Sequence, residues 1–286
     1  MGGRGGSSHA AGGGPAARTS NPKLQMAAAA LTSTFGGKHA QAMINLIEAA
    51  PALVRELWED FGGNFGFAPL SPTNSKPYDA WYDPSDERIH FRMENGKSWV
   101  FEQSYAGPAY EVIFHEFGHL SSNQIAKGLS QFANDYANMY QGTLASGEPK
   151  LDMYALQSVS GALGDSLREE LKEHIKRMKR PDEYAVSKSM AADRLINEIK
   201  NKYGADWRSY TPDISDMLVG AGIGIDYPLG VGHEHNYWDH MDVGIEAFAE
   251  MTAASIDNPK SLQAIKDYFP KSYNVYLEML KARKKR

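Results

Sequence analysis

The sequence predicts an α+β fold that is mainly helical, with a small antiparallel sheet next to one buried helix. Apolar residues recur at helical spacing over 43–61 and again in the second half of the chain. Between these regions, residues 80–101 read as short strands and contain the pair Asn95-Gly96, a strong short-range signal of a β-hairpin. The apolar run 112–120 follows directly and is compatible with a helix.

The N-terminal region combines a glycine-rich segment with the first helix. Residues 1–22 contain too few apolar side chains to offset the entropy of ordering, so we predict a flexible tail or linker there. Residues 23–286 are predicted to form one domain. Its first helix is expected over 43–61, interrupted or restarted at Pro51 and ended by Gly62.

The second half of the domain is predicted to consist mainly of helices. A helical insertion is expected at about 121–210, where apolar side chains recur every third or fourth residue. The dipeptide Thr211-Pro212 has the form of a helix start, with a capping hydroxyl followed by proline. Two further helical stretches are predicted over 244–256 and 261–282. These helices give the fold its mainly helical character.

The composition excludes several functional classes. The chain has 286 residues and a formal net charge of −5, without the basic excess of a nucleic-acid-binding protein. It has no cysteine, which excludes disulfides, thiolate metal sites and cysteine nucleophiles. No apolar stretch approaches the roughly 20 residues of a membrane span, and no signal peptide is recognisable. We therefore expect synthesis in a cytoplasm, no nucleic-acid or membrane partner, and any metal held by histidine and carboxylate.

The segment His115-Glu116-Phe117-Gly118-His119 has the pattern HExxH within an apolar, helix-compatible run. Its two histidines lie one turn apart on the same helix face, so their imidazoles can bind one Zn²⁺. Glu116 lies beside them, where its carboxylate can act as the general base towards a water on the metal. The alternative is a chance match on a core helix, which is rare for this pattern. The motif therefore predicts a catalytic site with one zinc ion per chain.

A catalytic zinc site of this kind needs a third protein ligand. A metzincin would have glycine and histidine three and six positions after His119, but Ser122 and Ile125 stand there. A downstream helix-compatible segment instead places Glu246 and Glu250 on one face. We predict that Glu246 is the ligand and that Glu250 accepts a hydrogen bond from the free ring nitrogen of a ligand histidine. The alternatives are exchanged roles for the two glutamates and a solvent-facing acidic pair.

These two motifs together resemble those of a known metallopeptidase group. The HExxH motif followed by residues 246–250, which read EAFAE, resembles the gluzincin-type peptidase domain of anthrax lethal factor and of related polymorphic and prophage toxins. In that group the first glutamate of the second motif is a zinc ligand. The resemblance therefore implies Glu246 as the ligand and a zincin-like metallopeptidase fold. Glu246 follows His119 by 127 positions, a longer interval than gluzincins usually show, which requires the helical insertion.

A second resemblance covers most of the chain and rests on less specific motifs. The glycine-rich opening and the segments 213–216, 232–233 and 237–238 resemble the C-terminal domains of phage minor head (MuF-like) proteins. This resemblance implies a phage or prophage origin, with phage head proteins as candidate partners. It also implies a protein that is virion-associated or delivered into a target cell.

The segment 232–240, just upstream of the second motif, contains three of the nine histidines. A peptidase of this class needs a donor that stabilises the tetrahedral oxyanion, and His233 and Tyr237 are our candidates. One alternative is an exposed loop in which Tyr237 simply packs. Another is a second metal site formed by His233, His235 and His240.

The motifs predict a zinc metalloendopeptidase that hydrolyses peptide bonds in a protein or peptide substrate through a metal-activated water. Two rival functions remain open. The first is a phage head-morphogenesis module whose zinc site is structural or vestigial, which a fourth protein ligand would indicate. The second is a delivered proteolytic toxin, which would share the chemistry and differ in its target.

Overall fold

A computed structural model describes residues 15–64, 66–69, 80–91, 93–94, 97–98, 108–139, 159–179, 187–233, 235–239 and 242–283. The chain divides into two compact units, residues 1–103 and 104–286. The predicted mainly helical character and the small antiparallel sheet are confirmed. The placement of that sheet next to the HExxH helix stays a prediction.

The first unit begins with two helices that are separated at Pro51. Helix α1 spans Gln25–Ala49 and helix α2 spans Ala52–Phe61. Proline cannot donate the backbone hydrogen bond that would continue α1, so the helix restarts at Pro51 as predicted. Helix α1 begins well before the predicted start at residue 43 and consists of two helical segments that meet at Gly36, where the backbone is not helical. Gly36 adopts a φ of 78°, a conformation that a side chain would disfavour, and forms a kink there.

The described end of the predicted N-terminal tail lies along α1. The Ala17 N–H donates to Thr32 Oγ1 at 3.0 Å, and the Arg18 N–H donates to Gln41 Oε1 at 2.8 Å. The Gln41 amide donates in return to the Arg18 carbonyl oxygen at 3.0 Å. These contacts hold residues 17 and 18 against the helix, while residues 1–14 lie outside the described residues.

The strands of the first unit form two small sheets. Strands β1 (Phe67–Pro69), β2 (Ala80–Asp83) and β3 (Arg88–Phe91) form a sheet in the order β1-β3-β2, with β2 antiparallel and β1 parallel to β3. Strands β4 (Met93–Glu94) and β5 (Lys97–Ser98) pair antiparallel on either side of the Asn-Gly pair. That pair itself lies outside the described residues, but the pairing of its flanking strands confirms the predicted hairpin.

The second unit is an assembly of helices. Its members are α3 (Glu111–Met139), α4 (Val159–Met178), α5 (Lys188–Tyr203), α6 (Trp207–Tyr210), α7 (Pro212–Gly220), α8 (Val243–Ile256), α9 (Pro259–Tyr268) and α10 (Pro270–Ala282). Helix α8 packs against α3, α4, α7 and α9, and each of its residues except Ile245 is buried. A helix that is buried on every side forms the core of its unit. Among the described helices, none has both the length and the apolar character needed to cross a membrane.

Several boundaries in this unit differ from the sequence-based expectation. Helix α3 continues from the HExxH motif through residue 121, the predicted start of the insertion, to Met139. The predicted helix 261–282 is wrong as a single element, because Pro270 ends α9 and begins α10. Thr211 precedes α7 as predicted, but its side chain makes no capping hydrogen bond.

The start of α10 is held by a buried carboxylate from another helix. Glu170 of α4 accepts hydrogen bonds from the Lys271 N–H at 2.8 Å, the Ser272 N–H at 2.8 Å and the Ser272 hydroxyl. The first N–H groups of a helix lack partners within the helix, and they carry a partial positive charge. Glu170 therefore acts as the N-terminal cap that the local sequence of α10 does not provide.

Replacing Glu170 by alanine is expected to lower the free energy of unfolding by about 3 kcal/mol, because buried donors lose a charged acceptor. Glu173→Ala is the matched control, since Glu173 pairs with Lys271 at the exposed surface and such pairs contribute little. Urea unfolding followed by circular dichroism measures both variants. Equal stabilities for the two variants would contradict this role of Glu170.

Candidate metal centre

Three predicted ligands meet between α3 and α8. His115 and His119 lie one turn apart on α3, and Glu246 lies in the first turn of α8. Asp242 caps α8, since its Oδ1 accepts the Gly244 N–H at 2.7 Å. One ligand atom from each of the three side chains lies within 4.8 Å of the other two, so the group can hold a metal ion.

The separations between these donor atoms fit a tetrahedral metal site. The two Nε2 atoms of His115 and His119 are 3.0 Å apart, and Glu246 Oε1 is 3.2 Å from His115 Nε2. Glu246 Oε2 is 3.5 Å from His119 Nε2. With ligand bonds of roughly 2.0–2.1 Å, the edge of a tetrahedron around zinc is about 3.3 Å. The separation of the two imidazole nitrogens and the distance from each of them to its nearer Glu246 oxygen lie close to that value, although the two histidines approach different oxygens of the carboxylate.

One oxygen of the buried Glu246 carboxylate lacks a hydrogen-bond partner among the described residues. Glu246 is only 1% exposed, and within the described part of the chain its buried Oε1 has no hydrogen-bond partner. His115 Nε2 lies 3.2 Å from this oxygen. A buried charged oxygen without a partner carries a desolvation cost, which a bound cation would remove. The donor set therefore fits a metal ion.

Glu250 supports the tautomer of His115 that metal binding needs. It lies one turn after Glu246 on α8, and its Oε2 is 3.4 Å from His115 Nδ1. A proton on Nδ1 that points to Glu250 leaves the lone pair on Nε2, which faces His119 and Glu246. Glu250 thus lies beside His115 Nδ1, and Glu246 belongs to the group that could hold an ion, so the predicted division of roles remains a prediction.

Electrostatics keep two of the ligands in their metal-binding forms. Burial alone would raise the pKa of Glu246, but His115 and His119 lower it to about 2. Burial lowers the pKa of His119 to about 4, against the opposing effect of Glu246. Burial also acts to lower the pKa of His115, but the charges of Glu250 and Glu246 outweigh it and raise this pKa well above its ordinary value. The two carboxylates therefore create a negative centre that attracts a cation.

A glycine inside the HExxH motif allows α3 and α8 to approach closely. A Cβ atom added at Gly118 would lie 2.5 Å from Ala249 Cα and 3.1 Å from the Ala249 carbonyl oxygen. Both atoms belong to the backbone of α8, so they cannot move without the helix. Gly118 therefore sets the distance at which Glu246 reaches the two histidines.

Gly118→Ala is expected to destabilise the protein by about 2 kcal/mol and to weaken zinc binding, because the added methyl group pushes α8 away from α3. Alanine has the higher helix propensity, so a loss of stability isolates the packing effect. Gly66→Ala is the control for the substitution itself, since a Cβ atom added there would meet no atom within 4 Å. Thermal unfolding and zinc titration check both variants. An unchanged zinc affinity in Gly118→Ala would contradict the close-approach argument.

The predicted general base, Glu116, and one predicted oxyanion donor, Tyr237, lie close enough to interact electrostatically. Glu116 is buried on α3 beside the two histidines. Tyr237 lies in a short 3-10 turn, His235–Asp239, and its hydroxyl donates to Glu246 Oε2 at 3.2 Å. Burial and the charges of Glu246 and Glu116 raise the pKa of Tyr237, so its phenol stays neutral and able to donate. Tyr237 is therefore brought to the centre as predicted, but as a hydrogen-bond partner of the ligand.

The second predicted donor, His233, is held by a residue that sequence reasoning missed. Its ring stacks on Tyr237 with the centroids 3.9 Å apart, and its Nδ1 lies 3.2 Å from Asp216 Oδ1 on α7. Burial acts to lower the pKa of His233, but the hydrogen bond and charge of Asp216 raise it overall. No local pattern distinguishes Asp216 from the neighbouring Asp213, so the sequence alone offered no signal for this contact.

The alternative second metal site finds little support in the described part of the loop. His235 is exposed, and its backbone N–H donates to Asp226 Oδ1 at 2.8 Å. His240 lies outside the described residues. His233 is already engaged by Asp216, so these histidines do not form a ligand group in the described structure.

Asp83, Asp86 and His90 form another cluster of suitable side chains, in the first unit. They lie at the turn between β2 and β3, where Asp83 Oδ1 accepts the Ser85 N–H at 2.8 Å and Asp86 Oδ2 is 3.0 Å from His90 Nε2. Such contacts are typical of a β-turn that begins with aspartate. The turn accounts for this grouping, and the buried group in the second unit remains the candidate centre.

Comparisons of this chain with protein-family models, with curated proteins and with solved structures found no match.

Proposed function

We propose that this chain is a zinc-dependent metallopeptidase that hydrolyses peptide bonds in protein or peptide substrates. One observation carries the proposal. Two histidines of α3 and a buried glutamate of α8 converge on a single point, and Glu116 lies next to the first histidine. Two imidazoles, one carboxylate and an adjacent carboxylate base are the set used by zinc-dependent hydrolases.

Zinc is the metal that this donor set favours. His115, His119 and Glu246 would hold it through two nitrogen atoms and one oxygen. When bound, zinc would supply Lewis acidity, which polarises the substrate carbonyl and lowers the pKa of water. Hard cations such as Mg²⁺ and Ca²⁺ prefer sites made only of oxygen atoms, so they are poor occupants of this group.

The residues of the chain then have distinct roles in hydrolysis. Glu116 takes a proton from the attacking water and passes it to the leaving amine. Glu250 holds the His115 ring in place through Nδ1. Tyr237 orients Glu246 through its hydroxyl, and His233 is the donor for the oxyanion that forms on the substrate carbonyl.

The number of ligands favours a catalytic site over the structural site of a head-assembly module. Within the described residues the ligand group has three members, whereas a structural zinc site is normally closed by four protein ligands. A site with three protein ligands leaves one position for water and substrate. This supports the peptidase over a virion module with a structural zinc ion.

The test combines metal analysis with an unbiased cleavage assay. Full-length protein loaded with zinc would be incubated with a peptide library derived from a proteome, and new termini would be identified by mass spectrometry. We expect one zinc per chain, and cleavage that a chelator abolishes and added zinc restores. Protein that binds one zinc per chain but creates no new termini would overturn the peptidase proposal and favour the structural module.

A further inference from the structure

The segment that precedes α1 lies on the surface of the first unit as an extended chain. Along it, Ala17, Thr19 and Asn21 are half-buried, whereas residues 16, 18 and 20 are exposed. A burial pattern that repeats every second residue is typical of an extended chain with alternate side chains against a surface. Residues 17–21, the strap, are joined to α1 by the short turn Pro22–Leu24, and Leu24 is fully buried.

One side chain of α1 holds both backbone groups of Arg18. Gln41 Oε1 accepts the Arg18 N–H at 2.8 Å, and Gln41 Nε2 donates to the Arg18 carbonyl oxygen at 3.0 Å. The same Nε2 also donates to Asn45 Oδ1 at 2.9 Å, which fixes the orientation of the amide. The Arg18 side chain takes no part in these contacts, so any residue other than proline fits at position 18.

Two side chains of the strap are bound by carboxylates. The Thr19 hydroxyl donates to Glu48 Oε1 on α1, and the Asn21 amide donates to Glu59 Oε1 on α2 at 2.7 Å. An ionised carboxylate can only accept hydrogen bonds, so each of these positions needs a side chain that donates. The surface thus selects two donor side chains, two residues apart, next to a backbone contact that is independent of sequence.

The strap also bridges the kink of α1. The Ala17 N–H donates to Thr32 Oγ1, which lies before Gly36, whereas Arg18 is held by Gln41, which lies after it. Two consecutive strap residues therefore hold the two segments of α1 in their relative orientation. Binding of the strap and order in the first segment of α1 are consequently linked.

We propose that α1 and α2 form a peptide-binding site, and that the strap fills this site as a ligand carried by the same chain. The ligand class is an extended peptide with a hydroxyl donor and an amide donor at the positions of Thr19 and Asn21. Side chains of the helices supply the contacts, as they do when a folded domain binds a separate peptide. The inference is independent of the proposed peptidase function, because its residues all lie in the first unit.

The short connection to α1 determines how the site can be tested. The turn Pro22–Leu24 keeps the strap beside its site at a high effective concentration, which is on the order of millimolar for short flexible links. A separate peptide with the same sequence cannot compete with the strap while the strap is bound. It binds only when the strap has been released within the intact chain.

The experiment releases the strap in the full-length protein and supplies it as a separate peptide. Arg18→Pro removes the N–H that donates to Gln41, whereas Arg18→Ala keeps this N–H and is the matched control. Hydrogen exchange measured by mass spectrometry follows the amides of residues 25–35. Fluorescence anisotropy follows a labelled peptide with the sequence of residues 15–23. The double variant Arg18→Pro/Gln41→Ala tests whether the peptide uses the same contact as the strap.

We expect Arg18→Pro to speed amide exchange over residues 25–35 about 10-fold, and Arg18→Ala to match wild type. The peptide should bind Arg18→Pro with a Kd of about 0.1 to 1 mM and return its exchange towards the wild-type rate. It should bind neither wild type nor the double variant. Unchanged exchange in Arg18→Pro would overturn the proposal, because the strap would then not hold α1. Faster exchange that saturating peptide does not reverse would also overturn it and leave the strap as a structural brace.

Peptide variants test which ligand the site selects. Thr19→Val and Asn21→Ala, each made in the separate peptide, remove one donor without changing the backbone, so we expect each to weaken binding to the Arg18→Pro protein about 5- to 10-fold. Arg18→Ala in the peptide should leave the affinity unchanged, because the site contacts only the backbone of this residue. Equal affinities for all of these peptides would overturn the assigned ligand class.

Discussion

Glu116→Gln is expected to reduce peptidase turnover by at least about 100-fold while the protein keeps one zinc per chain. A positioned general base typically contributes a factor of roughly 10² to 10⁴ to the rate. Glutamine has nearly the same size and shape but cannot accept the proton of the attacking water. It also leaves His115, His119 and Glu246 unchanged, so the metal should stay in place.

The measurement is kcat on a peptide identified in the library assay, together with elemental analysis of the same samples. Glu169→Gln is the matched control, because Glu169 is an exposed glutamate of α4 that pairs with Lys172 at the surface, away from the candidate metal ligands. This control should retain wild-type turnover. A Glu116→Gln protein that is fully loaded with zinc and turns over at the wild-type rate would exclude Glu116 as the base.

Glu246→Ala is expected to lose zinc, with an affinity reduced by more than about 100-fold. It removes one of three ligands and the carboxylate charge that draws the cation into a buried site. Glu250→Ala should have a smaller effect, about 10- to 100-fold, because residues that only orient a ligand usually contribute that much. Competition with a chromophoric chelator measures both affinities.

The order of the two effects tests the assignment of the two glutamates. A larger loss in Glu250→Ala than in Glu246→Ala would mean that their roles are exchanged. Zinc retained at full affinity in both variants would place the third ligand elsewhere and would favour a structural zinc site. Circular dichroism of each variant distinguishes a lost ligand from a lost fold, because α8 is the buried core of the second unit.

The secondary structure was predicted best where a local rule decides it. Pro51 restarts the helix and the strands around Asn95-Gly96 form a hairpin, because proline and the Asn-Gly turn act within a few residues. The helical segment that precedes the kink at Gly36 was missed. A glycine pair in a sequence usually indicates the end of a helix or a loop. Pro270 was overlooked in the same way, although proline commonly marks the first turn of a new helix.

The residues of the candidate site were likewise predicted only where a local rule applies. The helical spacing of His115 and His119 is a local property, and it was sufficient to predict that their side chains share a face. Gly118 gave no such signal, because its importance comes from the backbone of Ala249 on another helix. The sequence likewise gives no sign that Glu170 caps α10, since Glu170 and the start of α10 are about a hundred residues apart.

The sequence by itself determined the motif on α3, the pair of glutamates on α8, the absence of cysteine ligands and the mainly helical fold. Only the tertiary structure decided that Glu246 and Glu250 reach the two ring nitrogens of His115, and that Asp216 holds His233. The physical reason is the distance along the chain over which each kind of interaction acts. Helical periodicity and turn chemistry act over a few residues, whereas the contacts that assemble the site depend on how separate helices pack.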